Sequence, residues 1–123
     1  MENSPYKGKT GLKRLMNAFQ YSCSGLKDTY QNEEAFRQEV WLAAILLPVA
    51  FWIDVGAIGR ALMIGSILLL LIVELLNSAI EATVDRISLD DHPLAKRAKD
   101  IGSAAVFMCI INLLVVWLLI LLG

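Results

Sequence analysis

ALMIGSILLLLIVELLNSAIEATVDR, residues 61–86, is the stretch whose reading decides the fold. Its first twenty residues have the length of a helix that crosses the bilayer hydrocarbon, and they hold one charge, Glu74. A second run, 103–122 (SAAVFMCIINLLVVWLLILL), has the same length and no charge, with Asn112 the only break in its apolar character after Ser103. A third, 40–53, is shorter. By length alone it fits a buried or re-entrant helix as well, and it contains Pro48 and closes at Asp54. It is read as a span because the helix can extend back through Glu39, and because DVGAIGR, 54–60, suits a tight turn between antiparallel helices. The expected fold is all-α and integral to the membrane: an N-terminal amphipathic surface helix over about 11–30, then helices over about 34–54, 59–84 and 96–122 that contain the three spans, in one domain covering 1–123.

Composition agrees with that class. Of 123 residues, 57% are hydrophobic, more than the core of a soluble domain of this size needs, so the excess is expected to face lipid. The net charge of −1 leaves no bulk field to attract nucleic acid, and no nucleic-acid partner is expected. Cys23 lies in a polar segment and Cys109 inside an apolar run, so both are read as free thiols. No apolar stretch precedes residue 40, so no cleaved signal peptide is expected and the spans themselves carry the targeting information. The chain has no internal repeat or low-complexity tract.

Lysines and arginines orient the spans. Six precede the first span, one (Arg60) lies between spans one and two, four lie between two and three, and none follow. The N-terminus and the 81–102 connection are therefore expected in the cytoplasm of a bacterial cell, with the 54–60 turn and the C-terminus outside the inner membrane. Trp41, Trp52 and Trp117 lie toward span ends, as interfacial aromatics do. Leu12, Leu15, Met16, Phe19, Cys23, Leu26 and Tyr30 recur at steps of three and four, which suits a helix lying flat on the cytoplasmic leaflet, or one packed on protein.

Glu74 is the residue that requires a reason, because a carboxylate inside a span is costly and is by default a functional candidate. At roughly 100° per residue, Glu74, Asn77, Ser78, Glu81 and Asp85 share an arc of roughly 100°. Such a stripe must face protein, water or a cation, although Asn77 and Ser78 can also serve as helix-packing contacts. Glu33 and Glu34 follow Asn32, a good N-cap, and can complement the positive end of a helix starting there. Lys96, Arg97, Lys99 and Asp100 stand just before the third span, where positive-inside anchoring alone accounts for the cations. Together these are the parts of phosphoryl transfer: carboxylates for Mg²⁺, cations for phosphate, and a deeper carboxylate for a lipid hydroxyl. Gly8-Lys9-Thr10 ends like a phosphate-binding loop, but Asn3 stands where the first glycine belongs and no strand precedes it, so it is set aside. The single histidine, in His92-Pro93, reads as a loop turn.

Three segments carry a resemblance. Asn32-Glu33-Glu34-Ala35-Phe36-Arg37-Gln38-Glu39, then Glu74-Leu75-Leu76-Asn77-Ser78-Ala79-Ile80-Glu81 with Asp85-Arg86, and Ala98-Lys99-Asp100-Ile101-Gly102-Ser103-Ala104-Ala105 resemble the prokaryotic diacylglycerol kinase family, which includes undecaprenol kinases. The likeness runs from about Gly11 to the third span, and the E-x-x-N-x-x-x-E stretch in a membrane helix is its most specific part. It implies a homotrimer of three-span subunits, with active sites between subunits at the cytoplasmic interface. It also implies Mg²⁺ with ATP as donor, held by Glu33 and Glu81, and Glu74 as catalytic base. Arg14, Ser22, Asn77, Lys99 and Asp100 match residues on the nucleotide side, and Gln38, Glu39 and Lys99 residues on the lipid side.

The implied reaction is in-line transfer of the γ-phosphoryl group from Mg·ATP to the hydroxyl of diacylglycerol, yielding phosphatidic acid. Undecaprenol is the alternative substrate, since Asp91-His92-Pro93-Leu94-Ala95-Lys96 resembles the loop of undecaprenol kinases, whereas 36–39 and 102–105 resemble the Gram-negative diacylglycerol kinases. A non-enzymatic oligomer, either an ion path or a small adaptor, is the alternative of another class. Against an ion path, residues 61–73 offer only Gly65 and Ser66 as anything but apolar side chains.

Overall fold

The computed structural model describes residues 10–87 and 91–123. Gly8 and Lys9 of the discarded loop, and 88–90 in the second connection, lie outside the described residues. Four helices make up nearly all of it: α1 (Gly11–Asn32), α2 (Glu34–Trp52), α3 (Gly56–Ile87) and α4 (Pro93–Leu122). The last three are long and apolar enough to cross a membrane. The 19 residues of α2 extend roughly 28 Å, just the hydrocarbon thickness. The 32 of α3 extend roughly 48 Å, so α3 overruns the hydrocarbon by several turns. The polar stripe, from Glu74 to Asp85, lies in its C-terminal turns.

The turn between α2 and α3 is shorter than the 54–60 loop expected. Only 53–55 are non-helical, because Gly56 takes a left-handed φ of +75° that starts α3 at once. Arg60 completes the corner: Nε donates to Ala50 O (3.0 Å) and Nη2 to Ile53 O (2.8 Å), satisfying carbonyls that the end of α2 leaves free. Pro48 sits inside α2 without ending it.

Two local expectations change. Asn32 does not cap α2. It is the last residue of α1, its amide donating to Asp28 O (2.9 Å) and Asp28 Oδ1 (3.0 Å), and the helix breaks one residue later, at Glu33. His92 is not a plain loop residue but the N-cap of α4, its Nδ1 accepting from Leu94 N (3.0 Å) with Pro93 in the first turn.

Among the described residues α3 packs on all three other helices, while α2 and α4 lie against it without pairing with each other. The core runs along that central helix: Ala43 and Ala50 from α2, Met63, Ile67 and Leu70 from α3, and Cys109, Leu113 and Trp117 from α4. Small residues on α2 allow close approach, and the bulk comes from α3 and α4. Cys23 is exposed and Cys109 buried, and both are free thiols.

Candidate active site

The polar stripe of α3 begins where its apolar core ends. Glu74, Asn77 and Ser78 are buried, one turn beyond Leu70, and Glu81 is half-buried a turn further on. A buried carboxylate and amide in a span require partners. Asn77 Nδ2 donates to Glu81 Oε1 (3.0 Å), which fixes that carboxylate one turn away. Asn77 Oδ1 is buried and lacks a hydrogen-bond partner among the described residues. It abuts Gly102 of α4, where a Cβ would collide with it.

On the other flank Glu39, in the second turn of α2, has a buried Oε2 without a partner among the described residues and feels the charge of Glu74. Glu74 in turn feels Glu81 and Glu33. Four carboxylates from α2, α3 and the α1–α2 elbow thus lie toward one end of the bundle, linked pairwise through the charge of Glu74. Glu33 also lines a cleft of about 520 Å³ between α1 and α3, together with Ser22, Asp28, Thr29 and Ser78. The cleft is mostly apolar, with Leu26 on the α1 wall and Leu75, Ala79 and Ala82 on the α3 wall, and polar groups enter it from both sides.

Lys99 reaches across from α4 to Asp85 (2.7 Å), joining the charged ends of α3 and α4, and Glu81 lies within its electrostatic reach. Both partners are nearly half exposed, so the pair is an exchangeable contact rather than a structural one. Asp100 points elsewhere: it pairs with Lys96 (2.5 Å) beside a second groove of about 360 Å³ along α4. Glu33 and Ser22 therefore meet in the cleft, and Glu39, Glu74, Asn77 and Glu81 meet beside it. Arg14 and Gln38 are exposed and do not line the cleft.

Among the described residues no three His, Cys, Asp or Glu side chains are grouped so as to hold a metal ion. A donor set of separate hard carboxylates still fits Mg²⁺ delivered on a nucleotide, which takes one or two carboxylates and completes its shell with phosphate oxygens and water. Gly102 was invisible from the sequence as a site residue, because a glycine on a helix has no marker until the facing helix is known. Ser78 read equally well as packing, and only the cleft distinguishes it.

Comparison with known proteins identifies the family. Residues 20–121 match the Prokaryotic diacylglycerol kinase family. The chain is 58% identical to Diacylglycerol kinase of Pseudomonas aeruginosa, with the full length of both chains covered. It is 49% identical to Diacylglycerol kinase of Escherichia coli K12 over 91% of this chain and 92% of that one. For Diacylglycerol kinase of Helicobacter pylori 26695 the figures are 42%, 92% and 88%. With the whole of α2, α3 and the charged end of α4 inside the matched region, the chain belongs to the prokaryotic diacylglycerol kinase family.

Proposed function

We propose that this protein transfers the γ-phosphoryl group of ATP to the hydroxyl of diacylglycerol, producing phosphatidic acid and ADP at the cytoplasmic face of the inner membrane. The observation that carries this reading is the placement of Glu33, Glu39, Glu74 and Glu81 toward one end of α3, with Glu33 lining a mostly apolar cleft that also offers Ser22, Asp28, Thr29 and Ser78. Glu74 lies about one turn deeper than Asn77 and about two turns deeper than Glu81, at the level where a lipid hydroxyl reaches while its acyl chains stay in hydrocarbon.

In the reaction the lipid oxygen forms a bond to Pγ as the bond from Pγ to the bridging oxygen breaks, the electron pair leaving with ADP. Glu74 accepts the hydroxyl proton. Glu39, with an unpartnered oxygen beside Glu74, accepts a hydrogen bond from the substrate's glycerol and so orients the hydroxyl. Glu33 and Glu81 would hold Mg²⁺, which would supply charge neutralisation for the transferring group. Asn77 keeps Glu81 aimed. Lys99 exchanges Asp85 for phosphate oxygens, with Arg14, Ser22 and Asp100 completing the nucleotide side and Gln38 the lipid side.

The apolar residues of α1, among them Leu12, Leu15, Met16 and Phe19, are exposed and lie on the cytoplasmic leaflet, so α1 works as an amphipathic surface helix. Because α2 and α4 flank α3 without closing around it, one chain leaves the site open on a side. A homotrimer closes it, with neighbours supplying the missing wall.

The test offers purified protein in lipid micelles radiolabelled ATP with diacylglycerol or with undecaprenol. Label in phosphatidic acid, dependent on added diacylglycerol, is the expected result. Label only in undecaprenyl phosphate would replace the substrate, and cation flux without lipid-dependent ATP turnover would replace the reading altogether.

A further inference from the structure

Glu33 stands alone between two helices, and something must hold it there. Its backbone is extended (φ −116°, ψ 109°) where α1 has ended and α2 has not begun. Three carbonyls at the end of α1, those of Tyr30, Gln31 and Asn32, lose their ordinary partners at such a break. Thr29 O accepts from Glu33 N (2.8 Å). Tyr30 O and Gln31 O both accept from Nη1 of Arg37, each at 2.9 Å. The backbone N–H of Arg37 also closes on Glu33 O (3.2 Å), and its neighbour Phe36 is buried. Arg37 therefore bridges the last turn of α1 to the first of α2, with Glu33 inside the loop it closes. A cation on carbonyls at a helix C-terminus is favourable in its own right.

We infer that Arg37 is a positioning residue: it fixes the angle between α1 and α2 and thereby aims the Glu33 carboxylate into the α1–α3 cleft. With Nη1 committed to two carbonyls, it acts on the nucleotide through Glu33 rather than by contact. This rests on the reading of Glu33 as a ligand of the metal on ATP.

The experiment uses the full chain in lipid micelles with a nitroxide on Cys23, which is exposed on α1 while Cys109 is buried. In Arg37→Ala, half-saturation by Mg²⁺ at constant ATP rises about tenfold, the usual scale for losing a ligand's support, while kcat at saturating Mg²⁺ stays within about threefold. The Cys23 label becomes more mobile in the same variant. Arg37→Lys, which keeps a cation with several donors, recovers most of both effects. An Arg37→Ala label as immobile as wild type overturns the clamp. A raised KM for ATP at saturating Mg²⁺, with the Mg²⁺ titration unchanged, overturns it in favour of direct phosphate contact. Glu33→Gln separates the premise from the inference: an unchanged Mg²⁺ titration there removes Glu33 as a ligand, and the positioning role with it, even if the label has shown the clamp.

Discussion

In the apolar half of α3, Ser66 Oγ donates to Met63 O (2.7 Å) and accepts from Trp117 Nε1 (3.1 Å), and both side chains are buried. Around the charged half, Glu39 Oε2 of α2 and Asn77 Oδ1 of α3 are also shielded and have no partner among the described residues. The first pair is closed: each polar atom it brings into the core is answered from within the chain. The second group is open, with acceptor capacity left over. A buried oxygen without a donor costs free energy, which sets this group apart from the closed pair. On the proposed function, the difference is between polar groups that hold helices together and polar groups that do chemistry.

The contrast breaks most dramatically at Glu74. Glu74→Gln preserves shape and can still hydrogen-bond, so unfolding in mixed micelles should match the wild type. Loss of a general base should lower kcat by about 10²–10⁴-fold. Near-normal turnover would remove Glu74 as base and leave the charged half without its central role.

Gly102→Ala tests whether the charged half depends on close packing. A Cβ there meets the Asn77 amide that holds Glu81. Alanine gains up to about 1 kcal/mol in helix propensity, while overpacking costs about 1–3 kcal/mol, so a net loss of stability is expected. Displacement of Asn77 should also raise the Mg²⁺ needed for half-maximal activity. A more stable variant with an unchanged Mg²⁺ titration would mean that the amide turns aside freely and does not aim Glu81.

Ser66→Ala probes the closed half and should have the smallest effect. It strips the acceptor from Trp117 Nε1 at a cost of roughly 1 kcal/mol, read from the unfolding midpoint in mixed micelles, while kcat and KM stay unchanged. A fall in kcat would show that the two halves are coupled along α3.

Much of this was legible from residues alone. The apolar runs at 61–80 and 103–122 have no other satisfactory solvent than lipid, and a carboxylate stripe on one helix face follows from spacing. The elbow was less legible. Asn32 carries the chemistry of an N-cap, but its amide has a closer partner in Asp28, so α1 runs one residue further and leaves Glu33 as the break. His92 looked like turn punctuation and proved to be a helix cap, because its imidazole competes for the Leu94 N–H as a hydroxyl would.

What the sequence by itself determined is whatever depends on period, length and solvent: the three membrane-length helices, the placement of Glu74 among apolar residues, and the alignment of Asn77 and Glu81 with it. Tertiary structure alone decided which groups answer one another across helices. Lys99 faces Asp85 while its neighbour Asp100 turns away to Lys96. Gly102 makes room for one amide, and Arg37 reaches back over the elbow to the carbonyls of α1. The physical reason is that a helix fixes where its own side chains point from local spacing, whereas the register and angle between helices come from packing summed along their whole lengths.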